Sequence, residues 1–200
     1  IELTTTKVDD KLINNFDIDE KVNTGNLLFL ARIEKAKGIY IAVDAYRILK
    51  HEFGDLTLTI AGDGSELNNV RQYIEQHNVE GVRILGSVSG RQLVETYASG
   101  SISILPSYGE GMPTSVLEAM AFGLPVFTRN VGGLKDFFVA GQMGFITDSL
   151  NAEDFANAIK SFLSDQELYR QVSRYNHHYA CEHFLASKVA ALIENELANI

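Results

Sequence analysis

Six short apolar runs constrain this chain more than any other feature. They occupy residues 27–31, 56–61, 82–85, 102–105, 125–128 and 144–147, and turns or helix-patterned segments separate them. The first, Leu27 to Ala31, is continuously apolar, as strands buried on both faces are. The stretches between the runs have helical periodicity. In 39–53, for example, Ala42, Ala45, Tyr46, Leu49 and Phe53 share one face. Further helices are predicted over 65–77 and 91–98, from about Thr114, and along the amphipathic tail from Gln166. Strands that alternate with helices predict an α/β fold, here a Rossmann-like parallel six-stranded sheet with helices on both faces and extra helices at the C-terminus. In such sheets ligands bind outside the carboxyl ends of the strands.

Composition narrows the partners. The 200 residues carry a net charge of −9, which disfavours nucleic acid and anionic membrane surfaces, since both are bound through clustered Lys and Arg. Cys181 is the single cysteine, so no internal disulfide can form. No stretch approaches the ~20 apolar residues of a membrane span, and a reducing cytoplasm fits. The first residue, Ile1, predicts that the chain is part of a longer protein. Residues 1–25 are polar and read as a linker with a possible leading strand at 1–5.

The chemistry concentrates in residues 107–126, SYGEGMPTSVLEAMAFGLPV. After the apolar run at 102–105, Gly109 and Gly111 permit unusual backbone angles and Pro113 suits a helix start. The loop would aim N–H groups, among them those of Gly111, Met112 and Thr114, at an anion near a positive helix end. Glu110 lies on the loop and Glu118 on the second turn of the helix, positions from which carboxylates can accept sugar or ribose hydroxyls. Arg32 and Lys37 sit at the mouth of the first strand, where cations gain most from a visiting anion. Gly62-Asp63-Gly64 follows the second strand, but Leu67 stands where a third glycine would complete a dinucleotide fingerprint, which argues against an NAD enzyme.

Glu110-Gly111-Met112-Pro113 followed by Glu118 resembles the Glu-x7-Glu signature of retaining glycosyltransferases with the GT-B fold, most closely their family 4. The string Arg32-Ile33-Glu34-Lys35-Ala36-Lys37-Gly38 is similar to the same family's Gly-Arg-Leu-x-x-x-Lys-Gly motif, with Ala31 replacing its leading glycine. The resemblance implies one half of a GT-B fold. Residues 26–165 would form the nucleotide-sugar-binding domain, and 166–200 would be helices that dock on a missing amino-terminal domain. It further implies that Arg32 and Lys37 grip the diphosphate, that Glu110 meets the donor sugar and that Glu118 holds the ribose. Gly62, Gly64, Gly86, Val88, Gly111, Met112, Pro113 and Thr114 would complete the donor site, with Gly86 and Val88 beside the base. Asp136 stands where the family often has Glu.

The implied activity is transfer of a sugar from a nucleotide-diphosphate sugar to an acceptor hydroxyl with no bound metal or other cofactor. The acceptor, a sugar or lipid-linked sugar, would be held by the other domain, in the cytoplasm or at the inner face of a membrane. A non-catalytic nucleotide-sugar module and a GT-B-type epimerase are the alternatives. Two metal-like patterns stand apart: Asp17-Ile18-Asp19, read as solvated linker, and His177 with Cys181, four apart on one helix face and read as part of a docking surface.

Overall fold

The computed structural model describes residues 8–13, 16–21 and 23–198. Six strands, β1 (Asn26–Leu30), β2 (Thr57–Ala61), β3 (Val82–Gly86), β4 (Ile102–Leu105), β5 (Val126–Arg129) and β6 (Gly144–Thr147), form one sheet in the order β3-β2-β1-β4-β5-β6. Every pairing is parallel, so all six carboxyl ends lie along one edge. The α/β prediction holds, and each of the six apolar runs is a strand to within a residue or two. β1 and β4 are buried over most of their length, and only Ser103 interrupts the apolar run of β4.

The helices are α1 (Ile39–Glu52), α2 (Leu67–Gln76), α3 (Gly90–Ser99), α4 (Thr114–Ala121), α5 (Ala152–Ser164), α6 (Gln166–His183) and α7 (Ala186–Ala198). α1 packs against α2 and α5, while α4 packs against α6 and meets α3 through Tyr97, so both faces of the sheet are layered. The sheet grows outward from β1 to β2 and β3, then returns across the centre to place β4 on the other side of β1. β1 and β4 are therefore the neighbouring strands at the topological switch point, the place where such sheets bind ligands.

Several described residues of the polar segment before β1 are packed down. Val8 is fully buried and bridges to Leu185, Phe16 meets Phe122 edge to face with ring centroids 5.0 Å apart, and Lys21 is only 8% exposed. The possible strand at 1–5 lies outside the described residues. Asp17 accepts from the amide of Asp19 at 2.8 Å to cap a short 3-10 turn, and Asp19 pairs with Arg174. That pair of acids thus has a local structural use. At the other end, α6 binds its own domain: Asn176 donates to the carbonyls of Leu124 and Met143 at 2.8 and 2.9 Å. His177 Nδ1 reaches the Ala121 carbonyl at 2.6 Å, with the Cys181 sulfur 3.8 Å from its other ring nitrogen. An imidazole nitrogen facing a carbonyl oxygen carries the proton, so Nδ1 is a donor here.

Candidate functional site

Five loops at the carboxyl edge, those after β1 to β5, are tied to one another through backbone. Ile33, just after β1, donates to the Asp63 carbonyl at 2.9 Å, and its own carbonyl accepts from Glu66 at 2.9 Å. Gly62 donates to Gly86 at 2.7 Å, which joins the loops after β2 and β3. Gly62 has φ +141° and lies so close to the Ala31 carbonyl that a Cβ would strike it. Tyr108 donates to Ala36 at 2.9 Å, and Gly133 donates to Gly111 at 2.7 Å, which fastens the loop after β4 to its neighbours on both sides. Gly62 is thus needed for close loop packing. Gly64, against the Ile33 backbone, has the same use.

Within this frame Lys37 and Glu110 meet. The ammonium lies 2.8 and 2.7 Å from the two carboxylate oxygens, with the side chains only 17% and 7% exposed. Ser107 donates to the same carboxylate at 2.5 Å. Local structure explains the approach. Lys37 closes a 3-10 turn, Lys35–Lys37, that ends on Gly38 at φ +72°, pressed against the Pro106 carbonyl at the end of β4. Arg32 takes another partner: its guanidinium pairs with Glu34 at 2.7 Å, and its side chain is 71% exposed.

The loop before α4 differs from expectation in one respect. Neither Gly109 nor Gly111 has a positive φ, and a Cβ on either would meet nothing within 4 Å. Their small size leaves open space beside the loop; no backbone strain requires them. Pro113, buried, brings no N–H to the start of α4, and no side chain caps that first turn. Thr114 is exposed there, and Met112 lies against Gly133. Val88 is half-buried in the turn between β3 and α3, beside Gly86 at φ +74°.

Glu118 is half-buried on α4, and its Oε2 accepts from the Tyr97 hydroxyl at 2.8 Å. Burial pushes its carboxyl above the ordinary range, while the Tyr97 hydrogen bond works in the opposite direction. Residues that the sequence reading passed over complete the surroundings. Arg129, at the end of β5, donates to the carbonyls of Ser107, Asp148 and Ser149 and lies 5.9 Å from the Tyr108 ring. Its position, a cation at a strand mouth, was the signal that singled out Arg32. Tyr97 carried no comparable signal, because a tyrosine on an amphipathic helix reads as core. A cavity of about 660 Å³ adjoins Gly111 and Met112 and is walled by Asp136, Phe137, Tyr179 and His183.

The strand order and the paired loops define a Rossmann-like domain of the GT-B glycosyltransferase fold. Residues 10–179 match the family described as glycosyl transferases group 1, and the chain belongs to it. It is 30% identical to a glycogen synthase of Mycobacterium tuberculosis over 146 residues, covering 72% of this chain and 35% of that one. To a D-inositol 3-phosphate glycosyltransferase of Paenarthrobacter aurescens it is 29% identical over 155 residues, 74% of this chain and 38% of that one. The chain thus spans little more than a third of these curated relatives.

Among solved structures, sucrose-phosphate synthase from Thermosynechococcus elongatus superposes with a TM-score of 0.81 at 21% identity, covering 97% of this chain and 51% of that one. HepE of Anabaena in complex with UDP gives 0.79 at 21% identity, over 95% and 52%. Among the described residues no helix is long and apolar enough to cross a membrane.

Proposed function

We propose that this domain holds the donor of a retaining, family 4 glycosyltransferase, which moves a sugar from a nucleotide-diphosphate sugar to an acceptor hydroxyl in polysaccharide, lipopolysaccharide or glycoconjugate synthesis. The observation that carries the reading is the Lys37–Glu110 pair, contributed by loops 73 residues apart and enclosed at the switch point of the sheet. A nearly dry ion pair is a poor way to stabilise a fold, since desolvation offsets most of its attraction. It is a good way to hold a cation and an acid ready for a ligand that has both phosphate and hydroxyl groups. HepE, bound to UDP, shares the fold.

In this reading Lys37, with the exposed Arg32, faces the diphosphate, and the N–H groups of Gly111, Met112 and Thr114 add to the positive field at the start of α4. Glu110 accepts hydroxyls of the donor sugar and Glu118 those of the ribose. Gly62, Gly64, Gly86 and Val88 line the nucleotide end, with Gly86 and Val88 reading the base through main-chain atoms. As the C1–O bond breaks, positive charge appears at C1 and the departing diphosphate becomes more negative. The cations and amides lie where that negative charge develops, the task a divalent metal performs in other transferases, and removing one such group costs about 10²-fold in rate. The acceptor hydroxyl attacks from the face the diphosphate leaves, gives its proton to a phosphate oxygen, and the anomeric configuration is kept. Neither Glu need be a nucleophile.

The acceptor belongs to a second domain across the cleft, in the cytoplasm or at the inner face of a membrane. The test is transfer by the full polypeptide from labelled UDP-, GDP- and ADP-sugars, with product anomer read by NMR. A product that keeps the donor's configuration, and is lost in Lys37→Met, is expected. A folded protein that neither transfers nor hydrolyses any of these donors would refute the enzyme reading.

A further inference from the structure

Glu118 is oriented by a residue on a neighbouring helix. Tyr97, in the last turn of α3, is fully buried, and its hydroxyl lies 2.8 Å from Glu118 Oε2 and 3.3 Å from the Ser115 carbonyl. A phenol has one proton to give, and the nearer, charged acceptor is the stronger partner. The ring cannot swing away, because it stacks on Phe122 at 5.2 Å with 13° between planes, and Phe122 is braced in turn by Phe16. The turn that bears Tyr97 is pinned as well. Lys21, from the segment ahead of the sheet, donates through Nζ to the carbonyls of Tyr97, Ala98 and Gly100. These carbonyls lie where α3 ends, and the ammonium adds a donor there beside the Gly100 amide, which reaches the Tyr97 carbonyl at 3.1 Å.

The consequence is selective. A carboxylate free on a helix samples several rotamers, whereas one with Oε2 fixed by a buried donor presents Oε1 in a single direction. We propose that Tyr97, its turn pinned by Lys21, is a positioning residue that holds one oxygen of Glu118 and leaves the other to accept a ribose hydroxyl of the donor nucleotide. This rests on the role given to Glu118 above. Tyr97 touches the ligand through Glu118 alone, so its removal acts on discrimination of the sugar ring and not on contacts to base or phosphate.

The test starts by titrating the chain with UDP, GDP and ADP in a calorimeter to find the nucleotide bound most tightly. That nucleotide and its 2′,3′-dideoxy form are then compared for the unaltered chain, Tyr97→Phe and Glu118→Gln. Tyr97→Phe should lose about tenfold of the preference for the ribose form, as expected for one hydrogen bond to a charged group, with dideoxy affinity unchanged. Full retention of the preference, or equal weakening of both forms, overturns the proposal, since a structural defect alone moves both. If Glu118→Gln keeps the preference, or no nucleotide diphosphate binds, the reading of Glu118 fails and takes this inference with it. Should Tyr97→Phe not fold, the unaltered chain labelled at tyrosine Cζ gives the answer. The Tyr97 resonance should shift with the ribose form more than with the dideoxy form, and equal responses would refute the coupling.

Discussion

Removing Lys37 leaves the enclosed Glu110 carboxylate, among the described residues, with the Ser107 side chain as its remaining side-chain donor, so Lys37→Met is predicted to cost about 3 kcal/mol in urea unfolding. Lys37→Met with Glu110→Leu should recover most of that loss, and a double variant as unstable as the single one would show that the pair is not coupled. Arg32→Ala should leave stability within about 0.5 kcal/mol, because its exposed pair with Glu34 contributes little. Its effect belongs in affinity: diphosphate ligands should weaken more than nucleosides in calorimetry, and equal weakening would remove Arg32 from the diphosphate site. Side-chain chemistry at these positions was legible in the sequence because charge at a strand mouth is costly without a partner. The specific pairing was not. Nothing in the one-dimensional order shows that Glu110 takes Lys37 while Arg32 turns to Glu34, since that choice follows from the 3-10 turn that ends on Gly38.

Strands and helices were read closely because their period is local, and the tie points between them were missed because their causes are distant. Gly38 is an example. At φ +72° and against the Pro106 carbonyl, it cannot take a Cβ without strain, so Gly38→Ala should lower the free energy of unfolding by about 2 kcal/mol or more. Unfolding that matches the parent chain would contradict this packing. Lys21 is a second case, a lysine in a polar stretch that reads as solvated linker and is in fact buried under the end of α3.

Burial pushes the Lys21 ammonium down to about 7, below its ordinary 10.5. Between those values the unfolded chain binds more protons than the folded one, so this group makes stability rise with pH across that window. The slope it contributes is at most about 1.4 kcal/mol per pH unit. Lys21→Met should remove that contribution. Urea unfolding at pH 7 and pH 9.5 should show a larger gain for the unaltered chain than for the variant, and equal gains would contradict the assignment.

At the scale of the molecule, strand order places the loops after β1 and β4 side by side, whereas the βα alternation, once all strands are parallel, dictates that every carboxyl end lies along one edge. The sequence could therefore place the site along one edge. It could not show that α6 seals α4, since Asn176 and His177 find their carbonyl partners only in three dimensions. The most direct measurement of convergence is backbone amide exchange of this chain with and without saturating UDP, GDP or ADP. The account predicts that at least one of them slows exchange together in three separate segments, 32–38, 86–88 and 110–118. Protection in none of these segments, or protection confined to the cavity beside Tyr179 and His183, would contradict it.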